Sequence, residues 1–517
     1  MFFLPRYFLT IVIFFAIQEK IAARCPVIPQ PIESTKQTSQ FLLNQQTAMV
    51  VENEIMQAGA NYLQQKMLQQ YHIAVSRQTV AAKNVIRWQL STDKKMPVEG
   101  YSIRMRNEEI VVSANDAEGA FNAAVSLLQL VVTAKKLDAA LLIDCWNITD
   151  APLYNWRGFM LDESRYFFGK AKVKSLLDWM AFYKLNRFHW HLTDEPGWRL
   201  EIKQYPLLHL VGGIGNYTSP FAPATYYTQE DIQEVIRYAN ERQIVVIPEI
   251  DMPGHATAAN KAYPQFSGGG SAKHPDFTFH PAKPETYSYL SNILREANAL
   301  FPSGMLHLGG DEVSFGNEKW ATDPLVQQLM RAQKLANINA VEQYFMKRMA
   351  DSVFAMNAKL LAWDEVAEAN LPADKTILFW WRHEYPAQLQ KALNKGYSVV
   401  LCPRLPLYFD FVQDSTHTQG RKWNKAFNSL ENVYAFSTKT LPFISKDNQQ
   451  QVLGIQANLW TETMPTEQRV DYMLFPRIAA LAEAAWTNTK DYPGFKERLL
   501  KHFPLYKQAG IQFYNPF

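Results

Sequence analysis

Cysteine is scarce in this chain, with Cys25, Cys145 and Cys402 the only three among 517 residues. So few and so widely spaced thiols imply no disulfide framework, and a packed core must hold the fold instead. Net charge is nearly absent too. Lys plus Arg number 52 against 49 for Asp plus Glu, a formal +3, which offers no extended basic field to hold nucleic acid. Beyond the N-terminal segment no stretch approaches the roughly 18 uninterrupted apolar residues of a membrane span. A neutral or small polar substrate suits such a chain better than a polyanion or a bilayer.

What is present is a large apolar fraction, 47%, enough for one large domain and a smaller one. The 13 Trp and 24 Tyr are many for this length. Flat aromatic rings serve core packing or stacking on sugar faces. At the N-terminus Arg6, the apolar run Tyr7 to Ile17 and the small residues Ala22 and Ala23 read as a secretory signal peptide over residues 1–23. Export to the periplasm or the extracellular space is expected. Lipid anchoring at Cys25 is the weaker alternative, because Arg24 lacks the small side chain expected before a modified cysteine. Sequons at Asn147 and Asn216 matter only in a host that glycosylates.

Residues 24–150 mix alternating segments, such as Tyr101 to Arg106 and Ile110 to Ala114, with a helical stretch from Gly119 to Val132. A small α+β domain is expected there. From 151 to 517 apolar runs alternate with amphipathic helices, the pattern of a parallel sheet with crossovers. About eight strands can be counted, the number that closes a (β/α)8 TIM barrel. They are Gly158 to Asp162, Arg187 to Thr193, Ile244 to Ile250, Met305 to Leu308, Leu360 to Trp363, Thr376 to Trp381, Ser398 to Leu401 and Leu453 to Trp460. Helices are expected at Lys170 to Lys184, Gln229 to Arg242, Pro284 to Leu300, Ala340 to Met356 and Val470 to Trp486. The segment Pro403 to Gln450 reads as a long, irregular, aromatic loop.

Asp162, Asp194, Asp251, Asp311 and Asp364 each follow an apolar strand, on the face where barrel enzymes assemble their sites. Asp162 and Asp364, taken singly, are equally well read as helix caps. Asp311 adjoins Glu312. Crowded carboxylates split their pKa values, so one keeps a proton to donate while the other stabilises positive charge, the two roles that cleavage of a glycosidic bond requires.

The segments Arg157-Gly158-Phe159-Met160-Leu161-Asp162, Phe188-His189-Trp190-His191-Leu192-Thr193-Asp194, Ile247-Pro248-Glu249-Ile250-Asp251-Met252-Pro253-Gly254-His255, His307-Leu308-Gly309-Gly310-Asp311-Glu312, Tyr408-Phe409-Asp410 and Trp460-Thr461-Glu462 together resemble glycoside hydrolase family 20, the β-N-acetylhexosaminidases. The resemblance covers nearly all of the chain beyond the leader. It implies a retaining, exo-acting hydrolase of terminal β-linked N-acetylglucosamine or N-acetylgalactosamine, with no cofactor and no metal. A different terminal unit, such as lacto-N-biose, is the alternative substrate. The family is a substrate-assisted exception to two-carboxylate catalysis, so the nucleophile is expected to be the substrate's own 2-acetamido oxygen.

The resemblance implies Glu312 as general acid and base, Asp311 as acceptor of the acetamide N–H and Tyr408 as donor to the acetamide oxygen. Asp194 and His255 match a network that reaches the acid/base, although a histidine after a Pro-Gly turn is commonly structural. Arg157 and Glu462 match positions that hold sugar hydroxyls, and Asp410 is a further candidate; structural ion pairing at the barrel rim is the alternative for these. Trp363, Trp381 and Trp460 are expected to wall the pocket, while Trp380 faces the other way and Trp179 and Trp486 serve the core. The chain departs from the commonest wording at Glu195-Pro196-Gly197-Trp198, where Asp-Gln-Gly-Trp is usual, and at Tyr166, where His is frequent. Both departures bear on the pocket rim and the leaving group.

Two rival classes remain. His189 and His191 share a strand face and, with His255 and the strand-end acids, suggest a metal-dependent hydrolase, but the further histidine ligands expected of a zinc site do not follow. A glycan-binding relic on a hydrolase scaffold is the non-enzymatic reading. Joint retention of Asp311, Glu312 and Tyr408 argues against it.

Overall fold

The computed structural model describes residues 24–418, 420–422, 426–441 and 443–517; the leader expected over residues 1–23 lies outside them. The first unit is a mixed sheet in the order Glu33–Asn44, Ala140–Asp150, Tyr101–Met105, Glu109–Ala114, Val85–Leu90, Ala48–Val51 and Ser76–Arg77, with Lys135–Leu137 paired to Ala140–Asp150. Alternation explains the short strands. In Tyr101–Met105 the odd positions are buried and the even ones reach outward. The helices Gln57–Tyr71 and Ala117–Val132 cover the sheet. Asp116 starts the second of them by accepting the Gly119 N–H at 2.6 Å.

That helix is buried almost all round, because it also meets the second unit. Midway along it Gln129 takes the Ile28 N–H at 2.7 Å and donates to the carbonyls of Ile28 and Phe182 at 2.6 and 2.8 Å. Cys25, the residue a lipid anchor would modify, is packed in the same core. Burial pushes its thiol up to about 11.

The second unit is a closed eight-stranded barrel. Its strands are Trp156–Asp162, Arg187–His191, Val245–Glu249, Met305–His307, Lys359–Trp363, Thr376–Trp380, Ser398–Leu401 and Val452–Leu459, each parallel to its neighbours. Inward side chains such as Ile247, Leu361, Phe379 and Val400 form one cluster. Outward ones, such as Trp380, pack in another with helix residues including Trp179 and Trp486. The expected helix from Val470 to Trp486 is two helices, Glu467–Leu474 and Arg477–Trp486. Pro476 accounts for the break, since its ring carries no N–H and would strike the carbonyl four residues back.

The units are joined by buried charge. Arg157, at the start of the first barrel strand, pairs with Glu99 of the small domain at 2.5 Å and donates to the carbonyls of Lys184 and Tyr154, each at 2.8 Å. Removing Glu99 strands a buried guanidinium, so Glu99→Ala is expected to cost about 3–5 kcal/mol in chemical denaturation while leaving KM unchanged. A raised KM at unchanged stability would return Arg157 to the sugar site.

Candidate active site

The barrel strands end in a pocket whose lining includes Asp194, His255, Asp311, Glu312, Trp381, Tyr408, Trp460 and Glu462. The strand Met305–His307 delivers the acid pair through a tight turn. Gly309 and Gly310 have φ of 64° and 89°, and a Cβ on Gly309 would lie 1.8 Å from Asp251 Oδ1, so only glycine fits there. Glu312 itself is left-handed at φ 52°, as is His255 at 53°. Such backbone is uncommon outside glycine, and here it occurs at two residues facing one pocket.

His255 Nε2 stands 3.8 Å from both Asp311 Oδ2 and Glu312 Oε2. Its Nδ1 meets Asp194 Oδ1 at 2.9 Å. Asp194 Oδ2 is met by His191 Nε2 at 2.9 Å and Arg165 Nη2 at 2.8 Å. His191 Nδ1 continues to Glu249 Oε2 at 2.7 Å. Glu249 further accepts from Trp363 Nε1 at 2.9 Å and contacts His189 and His307 at 2.9 and 3.1 Å. Acids and histidines thus alternate from the pocket floor down the barrel axis.

Burial disfavours each of these charges, but the neighbours decide the outcome. Against burial, Asp194 and Asp251 raise His255 well above its ordinary range, so it stays cationic. Against burial, Arg165 and His255 hold Asp194 far below the carboxylate range. Burial drives Asp311 up to about 7, opposed by His255 and reinforced by Glu312. Asp251 is raised well above the usual range by burial, with Asp311 adding to the effect. Among the described residues, Asp311 Oδ1 and Glu462 Oε2 are buried without hydrogen-bond partners, acceptors suited to donors that a sugar carries.

The opposite wall is aromatic. Tyr408 follows the seventh strand and is fixed by a bridge to Asn458 of the eighth. Its ring lies nearly parallel to Trp381, with centroids 6.3 Å apart and planes 14° apart. Trp381 is held by Asp364, which accepts its backbone N–H at 3.1 Å, and by its own Nε1 donating to Glu365 at 3.1 Å. Trp460 lies 6.2 Å from Tyr408 with the Arg165 guanidinium over it at 5.0 Å. Asp162 binds the loop amides of Ser164, Arg165 and Thr461. Asp162 and Asp364 therefore shape loops, and neither caps a helix as the alternative reading expected: the next helix after Asp162 has Gly169 at its N-cap, and the turn holding Asp364 has Trp363 there.

Three expectations need correction. Arg157 is at the far end of its strand, roughly 16 Å below the strand's last residue at the usual rise, and is consumed by Glu99. Arg165, just beyond the strand, lines the pocket instead. Trp363 is buried one layer down, its ring 6.0 Å from Trp460 and its indole N–H committed to Glu249; it backs the wall rather than forming it. Asp410 is likewise buried, with neither carboxylate oxygen hydrogen-bonded among the described residues, and stands 3.3 Å from Arg421, which lines the pocket in its place. Arg421 also pairs with Glu462. Burial lifts Asp410 to about 7 despite Arg421. Arg165 had a signal, a cation three residues past a strand end; Arg421 and Arg404, which also line the pocket, sit in the segment read as an irregular loop and had none.

The metal reading fares poorly on chemistry. Both ring nitrogens of His191 face carboxylates, and against burial Glu249 and Asp194 raise it well above its ordinary range, so it is a cation rather than a ligand. His189, Glu249 and His307 converge, but Glu249 there is already engaged by His191 and Trp363.

Residues 154–489 match the glycosyl hydrolase family 20 catalytic domain, and residues 24–151 match domain 2 of the same family. A β-hexosaminidase of Porphyromonas gingivalis is 31% identical over 95% of this chain, which spans 64% of that relative's length. One of Vibrio furnissii is 31% identical over 89% of this chain and 76% of its own. Among solved structures, the exo-β-N-acetylglucosaminidase of Vibrio harveyi in complex with N-acetylglucosamine superposes with a TM-score of 0.87 at 29% identity, covering 95% of this chain and 79% of that one. The Bacteroides fragilis β-N-acetylhexosaminidase gives 0.82 at 31% identity, over 94% and 96%. The chain belongs to glycosyl hydrolase family 20 and is a glycoside hydrolase whose curated relatives are β-hexosaminidases.

Asp194 neutralises three cations at once. Asp194→Ala is expected to cost about 3–5 kcal/mol of stability, read as a lowered denaturation midpoint; Asp364→Ala should leave that charged chain intact, losing instead the Arg382 ion pair and raising KM by releasing Trp381. Equal stability of wild type and Asp194→Ala would mean the three cations find other partners.

Proposed function

We propose that the chain is a retaining exo-β-N-acetylhexosaminidase that removes terminal β-linked N-acetylglucosamine or N-acetylgalactosamine by substrate-assisted catalysis. The observation that carries this reading is the paired carboxylates of Asp311 and Glu312, both 3.8 Å from one cationic histidine and faced by Tyr408 and Trp381. The Vibrio harveyi relative with N-acetylglucosamine bound supports the sugar.

In this reading Glu312 protonates the glycosidic oxygen as the 2-acetamido oxygen attacks the anomeric carbon from the other face. The leaving alcohol departs and an oxazolinium forms. Asp311 accepts the acetamide N–H through its unpartnered Oδ1, aims the carbonyl oxygen and stabilises the cation. Tyr408 donates its hydroxyl to that oxygen. Glu312, now ionised, takes a proton from water, which opens the ring from the face the leaving group vacated, so two inversions give retention. Trp381 and Trp460 enclose the sugar and acetamido methyl; Arg165 and Glu462 bind hydroxyls, with Asp410 acting behind Arg421. No enzyme nucleophile or cofactor enters.

Release of p-nitrophenol from the β-N-acetylglucosaminide tests this. Glu312→Gln is expected to lower kcat by about 10²–10⁴-fold, Asp311→Asn by about 10²–10³-fold, and a thiazoline mimic of the intermediate to inhibit wild type. A Glu312→Gln enzyme within about tenfold of wild type would sink the assignment. Asp311 acts ionised and its carboxyl is raised to about 7, so it is protonated as pH falls. The acidic limb of kcat/KM should therefore lie well above the ordinary carboxylate range, and Asp311→Asn should lack it.

A further inference from the structure

The rim beside the acid/base carries an unassigned group of side chains. Phe315 is 46% exposed yet closely tied to the chemistry, since its N–H donates to the Glu312 carbonyl at 2.9 Å. Gly316 lets this turn press onto Phe277, whose Cβ would lie 2.4 Å from any added side-chain carbon. Phe277 also backs the His255 ring at 4.8 Å. Next to Phe315 lies His274, with ring centroids 5.8 Å apart and planes 24° apart. Both oxygens of Glu195 stand 3.0 Å from His274 Nδ1. Glu195 is fixed in turn by its N–H, which donates to Asp194 Oδ1 at 2.6 Å, and one of its carboxylate oxygens lies within 4.8 Å of ring and carboxylate atoms of His255 and Asp194. The group therefore abuts the network behind Glu312.

Its position fits the half of the substrate that leaves. Glu312 is the more open of the two acids, with a side chain 32% exposed against 12% for Asp311, and the group it protonates must depart on its open side. We propose that Phe315, His274 and Glu195 form the subsite for the leaving-group sugar, a pyranose whose C–H face rests on the Phe315 ring while His274 and Glu195 meet its polar edge. This rests on the hexosaminidase reading above and adds a specificity-determining surface to it. It also gives Glu195, where the sequence departs from its relatives' usual wording, a role at the rim.

The test compares two substrates that share the sugar but not the leaving group: N,N′-diacetylchitobiose and the β-fluoride of N-acetylglucosamine, whose leaving group has no ring to stack. Phe315→Ala is expected to lower kcat/KM for the disaccharide about tenfold and to change the fluoride by less than about twofold, with Phe315→Trp retaining both. An equal fall on both substrates would show that the substitution merely disturbs the turn behind Glu312, and an unchanged disaccharide rate would show no contact; either overturns the subsite. Wild type that turns over neither substrate would instead overturn the hexosaminidase reading, and the subsite with it.

Discussion

Everything at the mouth of this barrel depends on a column of alternating charge beneath it. Glu249, fully buried, gathers three histidines and an indole N–H; burial opposes its charge, but His307, His191 and His189 hold it far below the usual carboxylate range. Arg165, His255 and the cation that Glu249 keeps on His191 together hold Asp194 ionised, and Asp194 in turn keeps His255 charged beside Asp311 and Glu312. No member is tolerable alone in so dry a setting, because an unpaired buried ion costs several kcal/mol. The acid pair can stand side by side because the column places a positive charge under both.

Backbone geometry does the complementary work. Barrel strands point their last residues at the pocket, but a strand end alone would send Asp311 and Glu312 to opposite faces. Two glycines and a left-handed glutamate turn the chain so that both carboxylates face His255. Asp251 packs against the turn only because Gly309 carries no Cβ. Asp251 is thus both a steric and an electrostatic neighbour, raised by burial and then by Asp311.

Much of this was legible in the chain. The barrel strands read clearly because residues such as Phe159, Val246 and Leu360 are buried by helices outside while their neighbours fill the interior, and their ends fell within a residue or two of the observed ones. The acid pair, Tyr408 and the Asp194 and His255 partnership lie within short motifs and were equally plain. Depth was not. Arg157 and Arg165 flank one strand, and a motif does not say which end faces the pocket until the strand's direction and the small domain's Glu99 are known. Trp363 and Trp460 likewise look alike in sequence but occupy successive layers. The break at Pro476 was readable from proline alone. Glu249 lay inside a motif whose other members drew the attention, and its weight appears only when histidines from different strands converge on it.

The joint between the two units has a consequence for how such a protein can change over time. Arg157 belongs to the barrel, yet its counter-ion, Glu99, belongs to the small domain, so the barrel is not an interchangeable cassette. A lineage that discarded the small domain would expose an apolar helix face and leave a guanidinium unneutralised at the base of its first strand, two lesions from one deletion. Loss of the domain and replacement of Arg157 are therefore a single coupled step.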